Sequence, residues 1–209
     1  MSRYLDLLIE RYPVLGSIKE DIASSYRLIE STYANGGKLL IGGNGGSCAD
    51  SEHMVGELMK GFVKKRALSE EFRANVARYD AQIATTLLDG LEGALPAIAI
   101  TGHTALTTAF ANDVDPSLSF AQQVYGYGRA TDTLLCISTS GNAKNLVYAA
   151  VTAKAKDMKV ILLSGKDGGR LRALADVSII VPSDQTHQIQ ELHLPIYHTL
   201  CLMLEDRFF

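Results

Sequence analysis

No CxxC pair occurs among the three cysteines, Cys48, Cys136 and Cys201, which lie far apart. An odd, scattered set of this kind does not build a disulfide framework and suits a reducing compartment. No apolar run approaches the roughly 20 residues that a membrane-spanning helix needs. The first residues also lack the apolar stretch of a signal peptide, so a cytoplasmic protein is expected. Charge of one sign is scarce too. A net charge of -3 gives nucleic acid no electrostatic attraction. The basic clusters Lys64-Lys65-Arg66 and Arg170 with Arg172 are short and read as solvated helix surface. Linkers, low-complexity tracts and short-period repeats are absent, which argues against a second domain. With 209 residues, 47% apolar and 21% charged, the composition is that of one globular domain able to bury a sizeable core.

The order of elements is regular. After a short helix ending near Pro13, apolar residues at Leu15, Ile18, Ile22, Tyr26, Ile29 and Tyr33 mark one helical face, closed by Asn35-Gly36-Gly37. A buried strand over 38–41 runs into Gly42-Gly43-Asn44-Gly45-Gly46. Ser47 is then expected to cap a helix carrying Ser51, His53, Glu57 and Phe62. A further helical stretch, about 69–88, passes through Phe72, Val76, Tyr79, Ile83 and Leu87. Strands over 95–100, 133–138, 159–164 and 177–181 alternate with helices near 104–111, 143–156, 169–175 and 186–208. Most of the strands are continuous Val/Ile/Leu/Ala runs, as in parallel strands covered on both faces. The reading is an α/β chain: a single-domain, doubly wound parallel sheet flanked by helices, with ligands at the carboxyl ends of the strands.

Two strand-to-helix loops have the composition of anion sites. Gly43-Asn44-Gly45-Gly46-Ser47 and Ser138-Thr139-Ser140-Gly141-Asn142 combine glycines, which permit close approach, with hydroxyl and amide donors at a helix start. One such loop can be only a tight turn; two in one sheet point to phosphate. Nucleotide patterns fail: Cys48 stands where G-x-G-x-x-G needs its third glycine, and no G-x-x-x-x-G-K-[ST] occurs. A small phosphorylated metabolite fits better. His53 and Glu57, four apart, share a helix face, and the last helix adds Gln190, Glu191, His193 and His198. Two imidazoles, a carboxylate and one more oxygen suit zinc or a similar divalent ion. Spacing leaves the fourth ligand open, with Glu191 aligned better with His198 than Gln190 is. A lone His/Glu pair is commonly a surface ion pair, and a lone helical histidine a core residue; nearness to the phosphate-type loops separates these from that background. Cys48 is read as a structural thiol, since no histidine partner is evident.

In these residues the chain resembles the SIS (sugar isomerase) fold and its phosphoheptose isomerase branch. The resemblance rests on Gly43–Ser47 with Ala49-Asp50, His53 and Glu57; on Asn112-Asp113; on Ser138–Asn142; on Lys166-Asp167-Gly168-Gly169; and on Ile189-Gln190-Glu191 with His193 and His198. It implies zinc held by His53, Glu57, Gln190 and His198. It also implies phosphosugar contacts from Asn44, Gly45, Gly46, Ser47, Asn112, Asp113, Ser138, Thr139, Ser140 and Gln190, and a homotetramer. Aldose–ketose interconversion needs a base, an acid and stabilisation of an oxyanion; Glu57 and His198 are assigned as the acid/base pair, with Asp113 able to share proton work. Three departures bear on the sugar. Ala143 replaces a common serine, the segment from Glu57 to Leu95 is long, and Thr101-Gly102-His103 stands where Thr-Asp is usual. The rival readings are a scaffold that keeps the fold without the chemistry, a phosphosugar sensor, and an isomerase of a different phosphosugar.

Overall fold

The computed structural model describes residues 3–209. Its centre is a five-stranded, all-parallel sheet in the order β2-β1-β3-β4-β5. The strands are β1 (Leu39–Gly43), β2 (Ala97–Ala99), β3 (Thr133–Ser138), β4 (Lys159–Ser164) and β5 (Val177–Ile180). Strand residues alternate between faces, and the core divides accordingly. Leu39, Ile41, Leu135, Ile137, Ile161 and Leu163 pack on one side. There they meet α1 (Arg3–Arg11), α2 (Lys19–Ala34), α3 (Gly46–Met59) and α10 (Thr186–Phe208). Leu40, Leu134, Cys136, Val160 and Leu162 face the other side, against α7 (Ser119–Tyr127) and α8 (Lys144–Ala155). Both faces are covered, which is why the central strands read as unbroken apolar runs. The chain steps from β1 to β2 on one side, then crosses back to β3 on the other. The β1/β3 junction is therefore the switch point of the sheet, where ligands enter doubly wound folds.

Several sequence expectations need correction. The helix from Gly46 stops at Met59, because Lys60 is extended, so Phe62 lies beyond it. Its cap is Gly45, at φ +56°, and Ser47 sits buried inside the first turn. The 69–88 stretch is two helices, α4 (Glu70–Tyr79) and α5 (Ala81–Gly90). Asp80 divides them, its carboxylate accepting from the N–H groups of Gln82 and Ile83. The helices α6 (Thr104–Asp113) and α9 (Gly169–Arg172) lie where the pattern predicts them, α9 shorter than expected, whereas α7 occupies a stretch for which no helix is predicted. Arg66 is not solvated surface: it is the largest fully buried side chain, paired with buried Glu205.

Candidate active site

The loops after β1 and β3 face each other across the switch point. Gly43 is required by contact: a Cβ there would fall on the backbone of Ser47 in the first turn of α3. The N–H groups of Ser47 and Cys48 turn back onto the carbonyls of Asn44 and Gly45. In the second loop Gly141, at φ +64°, presses against the backbone of Gly168. The Gly168–Leu171 segment braces it, since Arg170 N–H donates to Asn142 Oδ1 at 3.1 Å and Leu171 N–H to the Gly141 carbonyl at 3.0 Å. Ser138 Oγ accepts from Gly141 N–H at 3.2 Å, and Ser140 Oγ from Asn142 N–H at 3.3 Å. A hydroxyl that accepts in this way keeps its proton to donate outward. Paired amides of Asn44 and Asn145 join the two loops, at 2.8 and 3.0 Å.

A cavity of about 270 Å³ lies between the loops, lined by Asn44, Gly45, Gly46 and Ser47 on one side and Ser138, Thr139 and Ser140 on the other. Gln190 of α10 closes it, its Nε2 so close that a Cβ on Gly46 would lie 2.6 Å away. Ala143 lines the same cavity. Eight of the predicted binding residues thus come together around one space with hydroxyl and backbone donors. Ser140→Ala should weaken binding of a phosphorylated sugar by about 1–3 kcal/mol, read by calorimetry, and leave the dephosphorylated sugar unaffected. Equal losses for both would move the phosphate elsewhere.

A second cluster lies further along the same two helices. His53 Nε2 stands 3.3 Å from Glu57 Oε1 and 3.4 Å from His198 Nε2. Tyr197 OH lies 3.1 Å from His53 Nδ1 and donates to Asp50 Oδ1 at 3.2 Å, so the ring is held from behind. Burial, and then the neighbouring His53, push His198 below the usual imidazole pKa, against the pull of Glu57. It is neutral at neutral pH, with a lone pair to offer. Glu57 Oε2 is buried without a hydrogen-bond donor among the described residues, and the Lys60 ammonium stands 3.5 Å away. In a tetrahedral zinc site with bonds of 2.0–2.1 Å, ligand atoms lie about 3.3–3.4 Å apart. Two edges of such a tetrahedron are present, although among the described residues no group of three His, Cys, Asp or Glu side chains is already gathered as a metal site. Gln190 sits in the loop cavity, about two turns of α10 from His198.

Asn112 and Asp113 are not brought to either cluster. They are exposed at the C-terminal end of α6 and bonded to one another at 2.7 Å. Glu191 lines an apolar cavity of about 420 Å³ between α1 and α10, which His198 also borders. His193 is wholly buried. His103 precedes α6 and reaches Tyr127 OH at 2.9 Å. Cys48 is half-buried, its Sγ 3.8 Å from Glu52 Oε1. Sequence reasoning gave Tyr197 no role, because a tyrosine on the buried stripe of a helix reads as core.

Known proteins match this arrangement. A family model described as the SIS domain covers residues 88–165. The phosphoheptose isomerase of Helicobacter pylori (strain P12) is 37% identical over 194 residues, 93% of this chain and 88% of the relative. The chain belongs to the phosphoheptose isomerase family. The solved phosphoheptose isomerase from Neisseria gonorrhoeae superposes with a TM-score of 0.75 at 32% identity, covering 94% of this chain and 91% of that one. The one from Francisella tularensis gives 0.74 at 31%, covering 99% and 100%. Membership of the phosphoheptose isomerase family makes the chain a phosphosugar isomerase with the SIS fold. The SIS match spans the Ser138–Asn142 loop but neither the first loop nor α10. The phosphoheptose isomerase of H. pylori aligns over nearly the whole chain.

Proposed function

We propose that the protein interconverts sedoheptulose 7-phosphate and D-glycero-D-manno-heptose 7-phosphate through an enediol(ate). One observation carries the reading: the phosphate-type cavity and the His53/Glu57/His198 cluster share α3 and α10. From Gly46 to His53 is about 10 Å along α3, and from Gln190 to His198 about 12 Å along α10. An open-chain sugar phosphate of six to eight carbons is of that length, with its phosphate among the serines and its carbonyl end at the imidazoles.

Glu57 would take the C1 proton of the ketose and return it to C2, while His198 moves a proton between O1 and O2. The two carboxylate oxygens allow separate duties, Oε1 facing His53 and Oε2 facing the Lys60 ammonium without a hydrogen-bond donor among the described residues. A divalent ion, zinc by its donors, would be held by His53, Glu57 and His198; Gln190, expected as the fourth ligand, lies in the loop cavity about two turns of α10 away and is not part of this cluster. Bound there, it would supply Lewis-acid stabilisation of charge developing on the sugar oxygens. Purified protein should hold about one divalent ion per subunit. Elemental analysis of a His53→Ala/His198→Ala variant should find it gone, and unchanged content would discard these ligands.

The experiment that decides the reaction is incubation with a panel of six- to eight-carbon ketose and aldose phosphates, following interconversion. A second reading, an isomerase of a different phosphosugar, starts from His103, which stands in the loop after β2 where the resemblance leads one to expect an aspartate and pairs with Tyr127 at the end of α7. Preference for a hexose or octose phosphate would establish that alternative, and no turnover of any would favour the scaffold or sensor. The reading also includes a cytoplasmic homotetramer. Tyr79, 80% exposed, and Ile83, 51% exposed, on the α4–α5 hairpin are consistent with burial between subunits. Light scattering should return four chain masses; a monomer would remove the tetramer.

A further inference from the structure

We infer that the buried Arg66–Glu205 pair is a positioning device that sets Glu57 against His198; the inference rests on the acid/base reading of those two residues. Arg66 lies in the 60–66 segment after α3, and Glu205 lies on α10, seven residues beyond His198. Both side chains have no exposure. The guanidinium makes three directed contacts. Nε donates to Glu205 Oε1 at 2.9 Å, Nη1 to the Leu58 carbonyl at 2.6 Å and Nη2 to the Glu57 carbonyl at 2.8 Å. Those carbonyls belong to the last turn of α3, which has no partners of its own for them and carries the negative end of the helix dipole. One cation thus caps the helix at the residue that bears the base.

Glu205 completes the arrangement. It accepts from the N–H groups of Phe62 at 2.8 Å, Val63 at 2.9 Å and Lys64 at 3.2 Å. The chain leaving α3 is thereby wrapped onto α10. The Phe62 ring lies 5.3 Å, centroid to centroid, from His198. On α10, a seven-residue step returns to nearly the same face about 10.5 Å further on, so Glu205 and His198 share a stripe. The pair thus ties the C-terminal end of α3 to α10, beyond the Tyr197–Asp50 hydrogen bond that joins the same two helices nearer their start.

Stability alone does not account for it. Replacing a buried ion pair with apolar residues of similar volume is often neutral or stabilising, because desolvating two charges offsets their attraction. What an apolar contact lacks is direction. A planar guanidinium with three acceptors in fixed places defines the relative position of two helices far more sharply than a methylene contact does. Displacing a reacting group by about 1 Å can cost on the order of 100-fold in rate. Lysine at this position keeps the charge but has no fork to reach Glu205 and both carbonyls together.

The test is Arg66→Lys in the full chain, assayed on the phosphosugar that the wild type turns over. The expected result is kcat lower by about 10- to 100-fold, KM within about three-fold, and faster amide exchange over residues 57–66. Should Arg66→Lys fail to fold, Arg66→Met/Glu205→Gln leaves no unpaired charge and keeps an amide oxygen for the Phe62–Lys64 N–H groups; the same split is expected. Retained kcat in a folded variant overturns the inference. So does a fall in activity that only tracks the folded fraction, since a merely structural pair would do that. A wild type inactive on every phosphosugar is a different outcome: it removes the isomerase reading itself, and this inference with it.

Discussion

Glu57→Gln is expected to lower turnover by at least about 100-fold, the usual scale for a positioned proton-transfer group, while phosphosugar affinity stays within a few-fold. Glutamine keeps the size of the side chain and one acceptor oxygen but cannot take a proton from carbon. Because the loops that line the phosphate-type cavity lie at the starts of α3 and α8, and Glu57 lies three turns along α3, the substitution leaves the cavity untouched. Solvent-proton exchange at the substrate carbon next to the carbonyl should vanish together with turnover, since both require the same abstraction. Metal content measured in the same sample separates loss of the base from loss of an ion. If Glu57→Gln retains exchange at the wild-type rate, Glu57 is not the base.

Glu205→Ala is expected to destabilise the fold by about 3–5 kcal/mol, the range for breaking a buried pair and leaving one charge uncompensated. The variant strips the acceptor from three backbone N–H groups as well as from Arg66. The pH dependence follows from the carboxyl itself. Burial works to raise its pKa, but the N–H donors of Phe62 and Val63 and the Arg66 guanidinium outweigh burial and hold it below the ordinary 4.5. A depressed folded-state pKa contributes stability above the unfolded value, and that contribution is lost as pH falls through the folded one. Wild type should therefore lose this share below about pH 4.5, and Glu205→Ala, lacking it throughout, should show a shallower acid slope. Urea unfolding at pH 7 and pH 4 would measure both. Equal acid slopes for the two proteins would mean that Glu205 titrates alike in folded and unfolded chains.

Much of the site was legible because its signals are local. The two loops are recognisable since strand, glycines and hydroxyls follow one another within a few residues, and the backbone alone places them at helix starts. The His53–Glu57 pair is legible for the same reason: four residues on a helix is a contact. Where local signals competed, the sequence reading slipped. Ser47 looks like a cap, but Gly45 can adopt the positive φ that the turn demands, so the helix starts before Ser47. Asp80 caps a new helix in the middle of a continuous amphipathic pattern and divides it.

By itself, the sequence determined the parallel α/β class, the two phosphate-type loops and the first helical pair, because each depends on neighbours within one turn or one strand. Only the tertiary structure decided which partners meet across long separations. His198 comes to His53 over 145 positions, and Tyr197 to Asp50 over 147. Gln190 goes to the loop cavity, while Asn112 and Asp113 stay at the outer end of α6. Most of all, Arg66 sits in a run of three basic residues and its charge reads as solvent-facing. It is buried because Glu205, 139 positions away, and two carbonyls at a helix end meet it in one place. Whether a charge lies in water or in the core depends on what the fold sets against it, and composition or periodicity along the chain does not record that.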